Sequence, residues 1–337
     1  MSLKTNIYFG KTIAEWRETE IGVLHKFLGG RRADRQNFPR MMYDLIHNLS
    51  GGGAFEFIMP ENLLCIAGHN HGKDTVFEEQ MKFHSQPPEA YTVVHFDKEK
   101  TADWSHFLRW KKILSYIKKA EDKEYVLCMD PTDCLFIDSP HNILNNFLTK
   151  FDCDILFNST TYFSCAPASV FAPCSRGGYR WDLLGKEALE YHELKHHKFG
   201  AFKHINGGLC IGKRESVIEL YERLVSYEFN SRGERVEPAD PSAWLKDPEF
   251  PYGCADDQQT LRFIEHEYYP EHPISGTRMR IDGRNELFIR IDSQVDMDYA
   301  FSKWGPRRNK VAKWPKNGTP IPNCGRGYDK NGTLPTK

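Results

Sequence analysis

Apolar runs and their spacing divide the middle of this chain into short alternating elements. Leu63-Leu64-Cys65-Ile66-Ala67-Gly68 is a continuous apolar run ending on glycine, the pattern of a buried strand that stops at a turn. Residues 91–96 read as a second strand. Residues 102–120 carry Trp104, Phe107, Leu108, Ile113, Leu114 and Ile117 at helical spacing. Residues 125–129 and 134–137 are two more apolar runs, followed by a helix over 140–147 and a strand over 154–157. Further on, the pattern predicts a short helix near 183–192, a strand over 205–212, helices over 215–227 and 256–268, and a late strand over 287–291. Strand and helix alternating at this spacing predict an α/β fold with a mixed, mostly parallel sheet flanked by helices. Ligands in such folds lie beyond the carboxyl ends of the strands.

The flanks read differently. Residues 12–28 and 39–49 have helical spacing, punctuated by Gly29-Gly30 and Gly51-Gly52-Gly53. The segment 230–255 is polar and Pro-rich, and the chain from 302 onward is Pro/Gly-rich with little regular pattern. Three parts follow: an N-terminal helical segment over 1–53, a main α/β domain over 54–300, and a tail over 301–337. No internal repeat is visible.

Candidate chemistry begins where an apolar run meets carboxylates. Asp130-Pro131-Thr132-Asp133 follows Tyr125-Val126-Leu127-Cys128-Met129 and returns at once to Cys134-Leu135-Phe136-Ile137. Two readings stand. The stretch is a turn, with Asp and Pro in turn positions, or two carboxylates share a hard cation such as Mg²⁺ or Mn²⁺. Asn206-Gly207-Gly208 inside an apolar run marks either close approach of a ligand to the backbone or a β-bulge. Asp256-Asp257-Gln258 opens a predicted helix, where acids serve as caps or as a base and sugar-binding group.

Two other motifs fail on spacing or context. Gly68-His69-Asn70-His71-Gly72-Lys73-Asp74 has three residues between its glycines and Asp after its lysine, where a phosphate loop needs four and Ser or Thr. His192-Glu193-Leu194-Lys195-His196 has the formal spacing of a zinc site, but Lys195, His197, Lys198 and Gly200 make it a solvated helix end.

Composition narrows the class. Apolar residues at 40% and charged residues at 27% describe a folded globular chain, and a formal net charge of -1 disfavours a dedicated phosphate-backbone binder. Positive charge gathers late, at Lys303, Arg307, Arg308, Lys310, Lys313, Lys316, Arg326 and Lys330 against Asp329. Nine scattered cysteines without a CxxC pair read as reduced thiols. The first thirty residues lack an apolar stretch, and no run approaches the ~20 residues that span a bilayer. The expectation is a cytoplasmic protein with no membrane span.

In their order along the chain these segments resemble the GT-A-type glycosyltransferase domain of procollagen galactosyltransferases and of the glycosyltransferase part of lysyl hydroxylases. Residues 126–138 match that family's strand-Asp-x-x-Asp-apolar pattern. Phe157-Asn158-Ser159-Thr160 with Cys165-Ala166-Pro167 resembles its Phe-Ser-Ala-Glu…Cys-x-Pro segment, Asn206-Gly-Gly-Leu-Cys-Ile-Gly212 its Asn-Ser-Gly-Gly-Phe-Ile-Gly, and Asp257-Gln258 its Asp-Gln helix start. The likeness covers roughly residues 60–295 and implies a Rossmann-like GT-A fold and a metal-dependent transfer from a nucleotide-sugar, with UDP as the nucleotide.

By that resemblance Asp130 and Asp133 coordinate Mn²⁺ (or Mg²⁺) on the donor diphosphate. Gly68 and His69 meet the nucleoside, and Arg109 or Lys111 faces the phosphates. Asn158, Asn206 and Gly207 line the donor, and Asp256 and Asp257 the sugar or acceptor, with Asp257 as base or orienting group. The chain departs from the family at Trp314-Pro-Lys-Asn317-Gly318, where the family's late His is missing, and at Thr160, where it has Glu. The acceptor is a hydroxyl on a protein, glycan, lipid or modified nucleobase. Two other readings remain, a nucleotidyltransferase and a non-catalytic member of the fold that binds glycan or nucleic acid.

Overall fold

The computed structural model describes residues 22–25, 56–68, 75–96, 106–131, 134–160, 190–191, 204–226, 261, 264–284 and 286–290. Nine strands run through them: β1 (Val23–His25), β2 (Leu63–Gly68), β3 (Tyr91–Val94), β4 (Tyr125–Met129), β5 (Cys134–Phe136), β6 (Ile155–Thr160), β7 (His204–Lys213), β8 (Met279–Ile281) and β9 (Phe288–Arg290). The described α-helices are α1 (Val76–Phe83), α2 (His106–Lys119), α3 (Pro140–Lys150) and α4 (Arg214–Ser226).

Six strands form one sheet in the order β3-β2-β4-β7-β6-β8. β3, β2 and β4 are mutually parallel, β7 runs antiparallel to both β4 and β6, and β8 runs parallel to β6. The sheet is therefore mixed and mostly parallel, and with its helices it makes an α/β fold, as the alternation predicts. A second sheet of three short strands has the order β5-β1-β9.

Side chains alternate across a strand, so a run buried on both faces serves two cores. Leu64 and Ile66 of β2, with Val126 and Cys128 of β4, face Phe107, Trp110, Ile113 and Ile117 of α2 and Val217, Leu220 and Leu224 of α4. Leu63, Cys65 and Ala67, with Leu127 and Met129, face Phe77 and Met81 of α1, Ile143 and Phe147 of α3, and the small sheet. Each fully buried Leu, Ile or Phe among them contributes roughly 1.5–3 kcal/mol. The result is three layers, with the six-stranded sheet in the middle.

Caps fix where the helices start. Thr75 accepts from the Glu78 N–H at 3.2 Å, and Glu78 accepts from the Thr75 N–H at 3.1 Å, a reciprocal capping box at α1. Ser139 caps α3 with Pro140 in its first turn.

Some elements differ from the sequence reading. Val23–His25 lies inside the helix predicted over 12–28 but is a strand, parallel to β9 and antiparallel to β5. Tertiary pairing overrides local spacing there: the Gly22 N–H donates to the Leu287 carbonyl at 2.8 Å, and a Cβ on Gly22 would sit 2.4 Å from Ile143. α1 and β8 are absent from the sequence reading. The predicted 256–268 helix ends as a 3₁₀ turn over Glu265–Tyr268. The expectations for the rest of 1–53, for 230–255 and for 301–337 lie outside the described residues.

Candidate functional site

The strand order reverses between β2 and β4. From β2 the chain passes through α1 to β3 on one side, and after α2 it returns as β4 on the other. In open α/β sheets the crevice at such a reversal, beyond the carboxyl ends, is the usual ligand position. Gly68 ends β2 there and Asp130 follows β4.

Asp130 is fixed through its backbone. Its N–H donates to the Gly208 carbonyl of β7 at 2.7 Å, which extends the β4–β7 ladder by one residue. The next carbonyl, of Pro131, accepts from the Phe77 N–H at 3.0 Å and ties the turn to the start of α1. The Asp130 carboxylate takes a charge-assisted hydrogen bond from the Arg109 guanidinium of α2. The pair is partly open to solvent, with side chains 15% exposed for Arg109 and 25% for Asp130.

Gly68 makes that pairing sterically possible. A Cβ on it would lie 2.8 Å from Arg109 Nε and 3.1 Å from Ile113 Cδ1. The arginine therefore crosses the end of β2 over a position with no side chain, a requirement of space and not of backbone angle.

Below Asp130 the floor is made of two cysteines. Cys128 and Cys210 stand directly opposite on β4 and β7. Tyr221 of α4 is buried against the same core. The neighbouring Cys128 thiol, together with burial, holds the Cys210 thiol well above its ordinary pKa, and burial does the same for Tyr221.

The third wall comes from β6 and β7. Their register jumps from Phe157↔Cys210 to Asn158↔Asn206, so Gly207, Gly208 and Leu209 form a bulge. Of the two readings of Asn206-Gly207-Gly208, the bulge is present. Asn206 is fully buried, and its Oδ1 accepts from the Gly208 N–H at 3.1 Å. That bond fixes the amide orientation, and leaves Asn206 Nδ2 as a buried donor without a hydrogen-bond partner among the described residues. Buried polar groups are rarely left so. Opposite it, Asn158 accepts from the Ser159 N–H at 2.8 Å, and Ser159 Oγ donates to the Asp282 carbonyl at 2.6 Å.

Gly68, Arg109, Asp130, Gly207, Asn206 and Asn158 thus line one end of the sheet. Lys111 does not join them: it is exposed and lies two residues from Arg109, about 200° away around the helix. His69, Asp133, Asp256 and Asp257 lie outside the described residues. Gly208 enters the sequence reading as part of Asn206-Gly207-Gly208 but not as a site residue, yet its carbonyl receives both the Asp130 N–H and the Cys134 thiol, the latter at 3.9 Å. Its signal was the second glycine of the pair beside Asn206.

Among the described residues no three metal-ligating side chains converge. No described helix is long and apolar enough to cross a membrane. No protein-family model matches the chain, and no curated protein matches it.

Proposed function

We propose that the chain is a metal-dependent glycosyltransferase that moves a sugar from a nucleotide-sugar, with UDP as the nucleotide, to a hydroxyl acceptor. The observation that carries this reading is Asp130 at the carboxyl end of β4, beside the glycine end of β2 and paired with Arg109, where the strand order reverses. The ordered motif likeness to the GT-A family supports it, and so does the mixed α/β sheet.

The donor chemistry fits a hard divalent ion. Such ions are held by one or two carboxylates and the phosphates of the substrate, not by a full protein cage. Asp130 provides a partly exposed carboxylate, paired in the structure with the Arg109 guanidinium, and Asp133 is the second carboxylate of the motif. When bound, Mn²⁺ or Mg²⁺ supplies Lewis-acid charge to the leaving diphosphate and a template for it. Arg109 adds a fixed positive charge at the same end of the sheet. Asn206 Nδ2, a buried donor still without an acceptor among the described residues, suits an oxygen of the donor substrate. Asp257 takes the acceptor's proton or orients its hydroxyl.

A second reading rests on the same pair. If Arg109 is the permanent counter-ion of Asp130, the end of the sheet is a structural ion pair and the chain is a non-catalytic binding member of the fold.

Thermal unfolding separates the two. UDP, GDP and CDP are compared with Mn²⁺ or with EDTA, on wild type and Asp130→Asn. A ligand at a hundred times its dissociation constant adds about 2.7 kcal/mol, about 4 °C for a chain of this length. Stabilisation by UDP that needs Mn²⁺ and vanishes in Asp130→Asn is the expected result. No shift with any nucleotide, with or without metal, overturns the transferase reading.

A further inference from the structure

Beyond the β8 edge of the sheet, away from Asp130, lies a cavity of about 720 Å³ that the donor site does not use. That volume falls within the range of small-ligand sites. Among the described residues it is lined by two tyrosines, Tyr191 and Tyr269, by the carboxylates of Glu190, Glu267 and Glu271, and by two histidines with Pro273. We infer that this cavity is a saccharide-binding subsite, with the tyrosine rings taking the apolar face of a pyranose and the carboxylates accepting from its hydroxyls.

The walls are held in place by the fold. The Tyr191 and Tyr269 rings lie 5.1 Å apart at 48°. Tyr191 Oη donates to Glu265 at 2.7 Å, which anchors that ring through a buried acid. Arg280 lies over the Tyr269 ring at 5.1 Å and donates to the Pro270 carbonyl at 2.7 Å. Arg223 grips both oxygens of Glu267, at 2.9 and 3.1 Å. Rigid rings and an oriented carboxylate are what a neutral ligand with one apolar face needs, because little ordering is left to be done on binding.

The rim adds an independent sign. Next to Pro273, Ile274 is 91% exposed. The turn that carries it is firmly held: Gly276 N–H donates to the His272 carbonyl at 2.8 Å, and Ser275 and Thr277 both donate to Glu219. A branched apolar side chain is thus presented to solvent on a fixed turn, one residue beyond the lining residue Pro273.

Other ligand classes fit less well. Carboxylates on the wall repel a nucleic-acid backbone. A saccharide needs no net charge and finds both contact types.

The binding claim stands without the transferase reading. It rests on that reading only in the use made of the sugar, which becomes the acceptor chain and makes the acceptor a glycan. The test therefore uses neither donor nor metal. Methyl β-galactoside, methyl α-glucoside and N-acetylglucosamine are titrated by saturation-transfer NMR against wild type, Tyr269→Ala, Tyr269→Phe, Glu271→Gln and Asp130→Asn. The expected result is binding of at least one sugar, weakened about tenfold by Tyr269→Ala, restored by Tyr269→Phe, reduced by Glu271→Gln and unchanged in Asp130→Asn. No binding by any of the three sugars overturns the inference. So does binding that Asp130→Asn removes and Tyr269→Ala spares, and so does displacement of the sugar by spermidine. Failure of UDP and Mn²⁺ to stabilise the protein, by contrast, leaves this result untouched and removes only the acceptor role.

Discussion

Asp282 clamps the end of β8 to the strands that carry the site, and its titration makes a sharp prediction. It is buried at 1% exposure. Its Oδ1 accepts from the Glu286 N–H at 2.8 Å, and its Oδ2 from those of Leu287 and Phe288 at 2.7 and 2.8 Å. Its own N–H donates to Phe157 on β6 at 2.8 Å, and its carbonyl accepts from Ser159, next to Asn158. Burial raises its carboxyl to about 6 against the pull of the three backbone donors. An unfolded aspartate titrates near about 3.9. Between these values the folded protein holds a proton that the unfolded chain has lost. Stability from this group is therefore fully present below about pH 4 and is lost as pH rises through about 6. A gap of about two in pKa, at about 1.4 kcal/mol per unit, makes the loss about 3 kcal/mol.

Asp282→Asn cannot titrate, so this contribution disappears from its profile. Its amide also turns one acceptor into a donor facing backbone N–H groups, which costs about 1–3 kcal/mol. Urea unfolding of wild type and Asp282→Asn at about pH 4, 5, 6 and 7 measures both effects. The stability of wild type relative to Asp282→Asn should fall by about 3 kcal/mol from about pH 4 to about pH 7, which takes it from an advantage of about 1–3 kcal/mol to parity or below. Parallel profiles, or a wild type that gains relative stability over that range, would refute the reasoning.

Three further substitutions test the fold and the site. Gly68→Ala pushes Arg109 off its path to Asp130; nucleotide affinity measured by calorimetry should fall by about five- to twentyfold, while unfolding free energy changes by less than about 1 kcal/mol. Gln80→Ala removes bonds to the Cys134 carbonyl at 3.0 Å and the Phe136 N–H at 2.7 Å, both buried; guanidinium unfolding should show a loss of about 2–4 kcal/mol. Gly212→Ala sets a methyl 2.7 Å from the Asp154 carbonyl, a backbone atom that cannot turn aside; a loss of about 1–3 kcal/mol is expected by the same assay, and an unchanged midpoint contradicts it.

The sequence exposed the central strands and the short β5 and β9, and concealed β1 and β8. β2 and β4 were legible to the residue because they are buried on both faces and bounded by turn residues. β8 is Met-Arg-Ile and lacks the continuous apolar run that marks the equally short β5, and β1 owes its conformation to partners far along the chain. Asp130 was legible because a charged residue directly after a buried strand is conspicuous. Its pairing with Arg109 was not. Arg109 and Lys111 stand one residue either side of Trp110 in the apolar stripe of α2, so helical phase alone treats them alike, and only the seating of α2 on the sheet selects Arg109. The cavity at Tyr191 and Tyr269 joins residues from two distant segments and leaves no local pattern.

The small sheet carries a consequence for how the protein is made. Val23 pairs with Phe136 on one side and Phe288 on the other. A ribosome adding about 5–20 residues per second takes roughly 13–50 s to go from the first of these positions to the last. Until Phe136 is made both edges of Val23–His25 lack their mates, and until Phe288 is made one edge still does. Vectorial synthesis thus completes the small sheet late, and the earliest of its three strands waits longest to be secured.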